Sequence, residues 1–317
     1  MHNYNWQLAG HEIQRSKLEN DMNTGNLAHA YLFHGPTEVG KFTLAKTFAN
    51  ILQCNEGLCG KCPTCLQINN DCHYDTFALK EDGTSVKIEQ VQKIIAKLST
   101  TSQANYKIVM IEDIERLTLP AANCLLKTLE EPGERTIFLL TTNDITNVLD
   151  TIKSRSRLLK FAHVSNEELE AYLEERGIPV DEQTERRAKM FAFGSIGKFF
   201  RLIKSQDDLN EIKDLYDMLV NLLEGGSISA KFAFVKQVSE DKIKSKKMLE
   251  MLTHLIRSML LAKTGYSSHL GELPELLSDF SASHLLSLLE RIESAKRDLA
   301  HNVNTKLLLE NLFLETT

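Results

Sequence analysis

Over the first half of the chain, short unbroken apolar runs alternate with segments of helical spacing. His29-Ala-Tyr-Leu-Phe-His34 is a compact run leading directly into a glycine loop, and Phe42–Leu52 after it carries the periodicity of a helix. Thr76–Leu79 is predicted as a short strand, and Ile88–Leu98 as a helix with Val91, Ile94, Ile95 and Leu98 on one side. Lys107–Ile111 is apolar throughout after its lysine, as in a parallel strand covered on both faces. Asn123–Glu131 is helical and stops at Pro132-Gly133; Thr136–Leu140 is another buried strand. This rhythm predicts an α/β domain whose parallel sheet is flanked by helices.

After Phe161 the pattern turns helical, and no later segment has the character of a strand. Ser165–Gly177 is a predicted helix with a capping serine and glutamates in its first turn. Glu185–Ala192, Ile196–Ile203 and Leu209–Glu224 follow, then a break at Gly225-Gly226. Ala230–Val238, Lys246–Ala262, Ala282–Ala300 and Thr305–Leu314 are amphipathic helices. The tail is therefore a small helical domain followed by a larger helical bundle.

A length of 317 residues fits two or three domains, and 42% hydrophobic with 25% charged residues describes ordinary globular composition. The net charge of −6 argues against gripping nucleic acid with the whole surface. Lys242-Ile-Lys-Ser-Lys-Lys247 fits a solvated helix face better than a nucleic-acid contact. Residues 1–20 show no positive-then-apolar leader pattern, and no apolar run is long enough for a bilayer. A cytoplasmic location without membrane association is the expectation.

Gly35-Pro-Thr-Glu-Val-Gly40-Lys41 has the glycine spacing and lysine of a phosphate-binding loop, in the strand–loop–helix context that such a loop requires. Its amides would surround phosphates, and Lys41 would neutralise them. At the next position, where a Ser or Thr hydroxyl should hold Mg²⁺, stands Phe42. Thr43 is one residue late, turned about 100° around the helix. The strand Lys107–Ile111 ends in Glu112-Asp113, the reverse of the Asp-Glu order that holds the metal and activates water. Each carboxylate is one methylene out of place, and such positioning errors are costly in catalysis. Efficient hydrolysis is not expected; weak nucleotide binding is compatible with the loop.

Five of the six cysteines fall within positions 54–72, which is unlike a disulfide framework. Cys54, Cys59, Cys62 and Cys65 supply four thiolates with the short turns that bring sulfurs around tetrahedral zinc. Gly57 and Gly60 let the segment fold around a metal, which would supply the stability that so small a segment lacks. A fully thiolate site leaves no open position, so zinc here would be structural. Cys72 and His73 are spare ligands should Cys54 point away, and an iron–sulfur cluster fits the spacing too. Cys124, among Ala and Leu on a helix, is plain core.

Together these features resemble the delta-prime subunits of bacterial DNA polymerase III clamp loaders, within the AAA+ superfamily. The resemblance spans most of the chain and is strongest from Gly10 to Lys160. It is carried by Gly10-His11, Leu27-Ala-His-Ala-Tyr-Leu-Phe-His-Gly-Pro36, the four-cysteine module, Val86-Lys-Ile-Glu-Gln90, Ala121-Ala-Asn-Cys-Leu-Leu-Lys-Thr-Leu-Glu-Glu-Pro132 and Phe138-Leu-Leu-Thr141. It implies a P-loop domain over 1–163 with a zinc module at 54–72, a helical lid over 164–207 and a helical collar over 208–317. Asn302-Val-Asn304 through Leu309-Glu-Asn-Leu312 matches the closing helix of that collar. Thr151-Ile-Lys-Ser-Arg155-Ser-Arg157 matches the family's Ser-Arg-Cys segment, with Ser156 in the cysteine place. That match implies that Arg155 acts in trans, as an arginine finger in a neighbouring subunit's nucleotide site. Lys198, in Phe193-Gly-Ser-Ile-Gly-Lys198, stands where the family has a nucleotide-sensing arginine, keeping the charge but losing the bidentate fork.

The function so implied is a subunit without hydrolytic activity of its own, part of the DNA polymerase holoenzyme and its clamp-loading ATPase. Its partners would be gamma/tau-like ATPase subunits and a delta subunit in a heteropentamer, which loads a sliding clamp onto primer–template DNA. ATP and Mg²⁺ would sit in the neighbours, and Zn²⁺ in this chain. An active gamma/tau-like ATPase is one alternative; it predicts hydrolysis abolished by changing Lys41. A zinc-dependent nucleic-acid-binding module is another; it predicts salt-sensitive DNA binding lost with Cys62→Ser.

Overall fold

The apolar runs become the middle of a parallel sheet in a computed structural model of the chain, which describes residues 4, 6, 8–79, 85–264, 280–300 and 303–314. Two compact units divide the chain: residues 1–179 with 194–198, and residues 180–193 with 199–317.

The first unit runs α1 (Glu12–Asn23), β1 (Ala30–His34), α2 (Lys41–Gln53), α3 (Pro63–Asn69), β2 (Thr76–Leu79), α4 (Ile88–Leu98), β3 (Lys107–Ile111), α5 (Leu119–Glu130), β4 (Thr136–Thr142), α6 (Asp150–Lys153), β5 (Arg157–Lys160) and α7 (Asn166–Arg176). The strands lie in the order β2-β3-β4-β1-β5, every neighbouring pair parallel. β1 and β4 sit side by side with Leu32 opposite Leu140 and His34 opposite Thr142, so their C-terminal ends share one edge of the sheet. In open α/β sheets that edge, where the strand order reverses, is where ligand-binding loops converge.

Alternation along each strand supplies both faces. Tyr31, Phe33, Ile108, Met110, Leu139 and Leu159 pack with Leu44, Phe48 and Leu52 of α2. Ala30, Leu32, Val109, Ile111, Phe138 and Leu140 pack with Val91 of α4, Leu125 and Leu129 of α5 and Ile152 of α6. Tyr31, Leu32 and Phe33 are completely buried, each contributing about 1.5–3 kcal/mol by removal from water.

Several elements of this unit go beyond the apolar pattern. α1 is polar along most of its length; only Leu18 and Asp21 are buried. Asp21 anchors it, accepting from the Tyr31 hydroxyl at 2.8 Å and pairing with Arg157. β5 is an edge strand in which only Leu159 is buried, and it registers on β1 with Arg157 opposite Tyr31. α3 is a single short helix after the cysteine loop, with Pro63 at its start and Cys62 capping it. α5 starts earlier than the periodicity suggested, because Pro120 lies in the first turn, where a missing N–H costs nothing.

In the second unit lie α8 (Glu182–Ala192), most of α9 (Ile196–Lys204), α10 (Gln206–Leu223), α11 (Ile228–Ser239), α12 (Lys242–Lys263), α13 (Ala282–Ala300) and α14 (Thr305–Leu314). No strand follows β5 among the described residues. α12 packs along α13, and α11 packs against α14, around Met248, Leu252, Leu255, Leu309 and Phe313. Lys242, Lys244, Lys246 and Lys247 are exposed while Ser245 and Met248 turn inward, so the basic run is a solvated helix face. Asn302, part of the expected closing segment, lies outside the described residues. No helix among the described residues is long and apolar enough to cross a membrane.

Candidate functional site

The loop between β1 and α2 is shaped by its carbonyl groups. Lys41 Nζ donates to the carbonyls of Gly35 at 2.9 Å and Pro36 at 2.5 Å. Ser195 Oγ donates to Thr37 O at 2.8 Å, Gly197 N–H to Glu38 O at 2.8 Å and His11 Nε2 to Val39 O at 2.7 Å. Gly40 O accepts from Leu44 N–H at 2.9 Å, the first turn of α2. Two glycines make this path possible. A Cβ on Gly35 would lie 2.4 Å from Phe161 O, and Gly40 caps the helix at φ 95°. His11 packs against Phe161 with ring centroids 4.6 Å apart and planes tilted by 53°, and burial lowers its pKa below the usual imidazole value.

Lys41 is 5% exposed, and its third acceptor is Asn143 Oδ1 at 2.9 Å. Asn143 follows β4, and its amide nitrogen donates in turn to Asp113 Oδ1 at 2.6 Å. Asp113 stands beyond β3 in a left-handed conformation, φ 51°, and its N–H donates to Thr141 Oγ1 at 3.1 Å. Burial, and then Glu115, push its carboxyl above the usual value, against the pull of Asn143 and Lys41. Burial lowers Lys41 in the same way, opposed by Asp113, then Glu115 and Glu112. Glu115 also accepts from Asn143 N–H at 2.9 Å through Oε1, while its Oε2 is buried with no hydrogen-bond partner. The fold thus joins Gly35, Gly40, Lys41 and Asp113, with Glu112 half-buried at the end of β3.

Phe42 is half-buried and packs against the core cluster beneath the sheet; Thr43 is exposed. No hydroxyl stands at the position a P-loop uses for Mg²⁺, so these residues do not fit a metal–nucleotide complex of the working kind. Lys198 lies in the first turn of α9, beside Gly197, whose N–H bonds the loop at Glu38. A Cβ on Gly197 would come to 3.0 Å from Glu38 O, a contact tight enough that the loop would have to shift by a few tenths of an ångström.

Asn143 and Glu115 were not singled out by sequence. The available signal was the polar stretch Thr141-Thr-Asn-Asp144, in which a buried strand ends on groups able to bridge charges.

Arg155 lies on another part of the unit, just past α6. Its Nη2 pairs with Glu130 Oε1 at 2.8 Å, and its Nη1 donates to Thr151 O at 3.1 Å and Ser154 Oγ at 3.3 Å. Lys153 pairs with Asp150 at 2.6 Å, and Arg157 with Asp21. Each of the three basic residues of this run thus has its own acidic partner.

The sulfurs of Cys54, Cys59, Cys62 and Cys65 lie within 4.8 Å of one another. Cys54 Sγ is 3.8 Å from both Cys59 Sγ and Cys62 Sγ. A regular tetrahedron with metal–sulfur arms of about 2.3 Å has edges of roughly 3.8 Å, so the cluster has the dimensions of a four-thiolate zinc site. Amides point at the sulfurs: Cys62 N–H to Cys59 Sγ at 3.3 Å and Cys65 N–H to Cys62 Sγ at 3.4 Å. Burial raises Cys54, but backbone hydrogen bonds from Cys59, Glu56 and Leu58 outweigh it and bring the thiol to about 6. Burial pushes Cys65 up to about 12. Gly57 and Gly60 adopt φ of 63° and 72° in the turns. Cys72 is exposed and outside the group, so Cys54 at the end of α2 is the fourth sulfur.

A family model described as DNA polymerase III, delta subunit, matches residues 10–165, and one described as its C terminal matches residues 206–317. The chain is 27% identical over 312 residues to DNA polymerase III subunit delta' of Bacillus subtilis, covering 94% of this chain and 93% of that protein. It is 29% identical over 262 residues to subunit gamma of Buchnera aphidicola from Acyrthosiphon pisum, covering 78% and 70%. Subunit delta' of Pseudomonas aeruginosa is 37% identical over 135 residues, 40% of this chain and 41% of that protein. With a five-stranded parallel sheet ahead of a helical C-terminal region and the two family models matched in order along most of the chain, it belongs to the DNA polymerase III delta-subunit family.

Proposed function

We propose that this chain is the catalytically silent, delta-prime-type member of its clamp loader, and that it supplies Arg155 to the ATP site of an adjoining subunit. The observation that carries this reading is Phe42, packed against the core at the helix start, where a metal-holding hydroxyl is needed. Asp113 hydrogen-bonded to Asn143 and Lys41 engaged by its own loop agree with it. The loop retains amides that can meet phosphate weakly, and Lys198 would add charge without a fork.

Arg155 would work through electrostatics alone. A guanidinium fixed at the edge of one subunit stabilises negative charge gathering on a γ-phosphoryl group in the next, whatever its own subunit binds. Zn²⁺ held by Cys54, Cys59, Cys62 and Cys65 would cross-link the loop after α2 and take no part in the reaction. The partners of this reading are gamma/tau-like ATPase subunits and a delta subunit in a heteropentamer in the cytoplasm. Primer–template DNA and the sliding clamp are reached through the assembly.

Steady-state ATP hydrolysis by the reconstituted loader tests it. The isolated chain is expected to hydrolyse no ATP. Arg155→Ala is expected to slow the neighbouring site on the order of 10³-fold, with the complex still assembled. Hydrolysis by the isolated chain that disappears with Lys41→Ala would overturn the silent reading in favour of an active ATPase subunit.

A further inference from the structure

The Arg155–Glu130 pair is rooted in two elements whose backbones are fixed from beneath. Glu130 is the last residue of α5, and Arg155 lies two residues beyond α6. Their neighbours Leu129 and Ile152 are each 1% exposed in one core cluster. Arg155 N–H donates to Ile152 O at 3.2 Å, and Ser156 Oγ to the same carbonyl at 2.8 Å. From that base both terminal nitrogens of the guanidinium are occupied, Nη2 by the carboxylate and Nη1 by the Thr151 carbonyl and the Ser154 hydroxyl. The Arg155 side chain nevertheless remains 34% exposed, and that of Glu130 51%. An approaching anion can reach a guanidinium that is already oriented.

We propose that Glu130 is the positioning residue of Arg155, holding its fork in the pose that meets a phosphate group on a neighbouring subunit; this rests on the finger reading above. An unheld arginine samples many rotamers and loses that freedom when it engages an anion, whereas one held by a carboxylate has lost it beforehand. No covalent bond is made or broken. As charge gathers on the phosphoryl oxygens, Nη2 shares or exchanges its hydrogen bond without the side chain travelling. The contribution therefore falls on turnover, not on nucleotide affinity.

The bland alternative is that the pair only ties α5 to α6, and a double-mutant cycle separates the two. Glu130→Gln, Glu130→Asp, Arg155→Ala and the Glu130→Gln/Arg155→Ala pair are placed in the reconstituted loader, each complex checked for equal composition, and ATP hydrolysis is measured. Glu130→Gln is expected to lower kcat about threefold, the strength of an exposed ion pair, with KM for ATP unchanged. Glu130→Asp should recover part of the loss, and Glu130→Gln should have no further effect once Arg155 is alanine. An unchanged kcat in Glu130→Gln, or a loss that persists in the Arg155→Ala background, overturns the inference alone. An unchanged rate in Arg155→Ala removes the finger reading and this inference with it.

Discussion

Replacing Cys65 by serine should abolish metal binding by the four-cysteine cluster and loosen the segment that follows α2. Cys65 is fully buried, and its N–H and sulfur both belong to the cluster, so no outside ligand can take its place from solvent without opening the site. With Cys54 Sγ 3.8 Å from two of its partners and all four sulfurs within 4.8 Å of one another, the cluster needs little rearrangement to reach metal–sulfur arms of about 2.3 Å. Serine offers a harder oxygen on a shorter arm, which suits neither the geometry nor the softness of a thiolate site. α3 keeps some hold on α2 without metal, through buried Ile68 and the Lys46–Asp71 pair at 2.7 Å. The loss should therefore be local, about 3 kcal/mol, within the range reached when a metal site is removed. Zinc per chain in protein purified without chelators should fall from one equivalent to near zero, and cobalt substitution should lose its thiolate charge-transfer bands. Cys54→Ser should behave like Cys65→Ser, and Cys72→Ser like the unaltered chain. Metal retained by Cys65→Ser, or lost from Cys72→Ser and kept by Cys54→Ser, would refute the assignment.

Gly35→Ala should cost about 3 kcal/mol in denaturant unfolding, because the added carbon meets the backbone of buried Phe161 at 2.4 Å; a change under about 0.5 kcal/mol would show that the strands part easily there. Burial also lowers His11, His34 and His73, the first from 6.5. A depressed histidine binds fewer protons folded than unfolded, so stability is present above the unfolded value and lost as pH falls through 6.5 toward the folded one. His11→Gln, which keeps an N–H for Val39, should flatten that loss between about pH 7 and 5; an unchanged slope would put the acid sensitivity elsewhere.

Where apolar runs are bounded by polar clusters, the sequence alone located the elements. β2, α4 and β3 begin and end at the residues that the periodicity indicated. β5 and α1 escaped because neither has an apolar stripe; each is held by a partner far along the chain, through Arg157, Asp21 and Tyr31. The site shows the same division. Gly35, Gly40 and Lys41 announce themselves by spacing, since a short loop must place them locally. Asn143 does not, because its value depends on β4 lying beside β1 and near the end of β3. Spacing favours Cys54 with Cys72 as a spare, and the turn at the end of α2 is what keeps Cys54 in the group. Nothing local in the sequence pairs Arg155 with Glu130, since that contact follows from α5 lying against α6.

The loop after β1 separates two requirements that a phosphate-binding loop usually meets together. Its six consecutive carbonyls, from Gly35 to Gly40, are each satisfied by a donor of the same unit: Lys41, Ser195, Gly197, His11 or the turn of α2. Buried carbonyls left unpaired would cost free energy, so these bonds fix the course of the chain irrespective of what lies on the amide side. The chemistry of a nucleotidase depends on the opposite side of the loop and on the residue after the lysine. A phenylalanine at that residue leaves every carbonyl bond in place and adds apolar contact with the core. The shape of the loop therefore does not depend on a hydroxyl after the lysine, and a glycine–lysine pattern is evidence of this architecture rather than of hydrolysis. The same reasoning makes His11 and Ser195 structural pins of the loop, whose replacement should disturb its course whether or not nucleotide is turned over there.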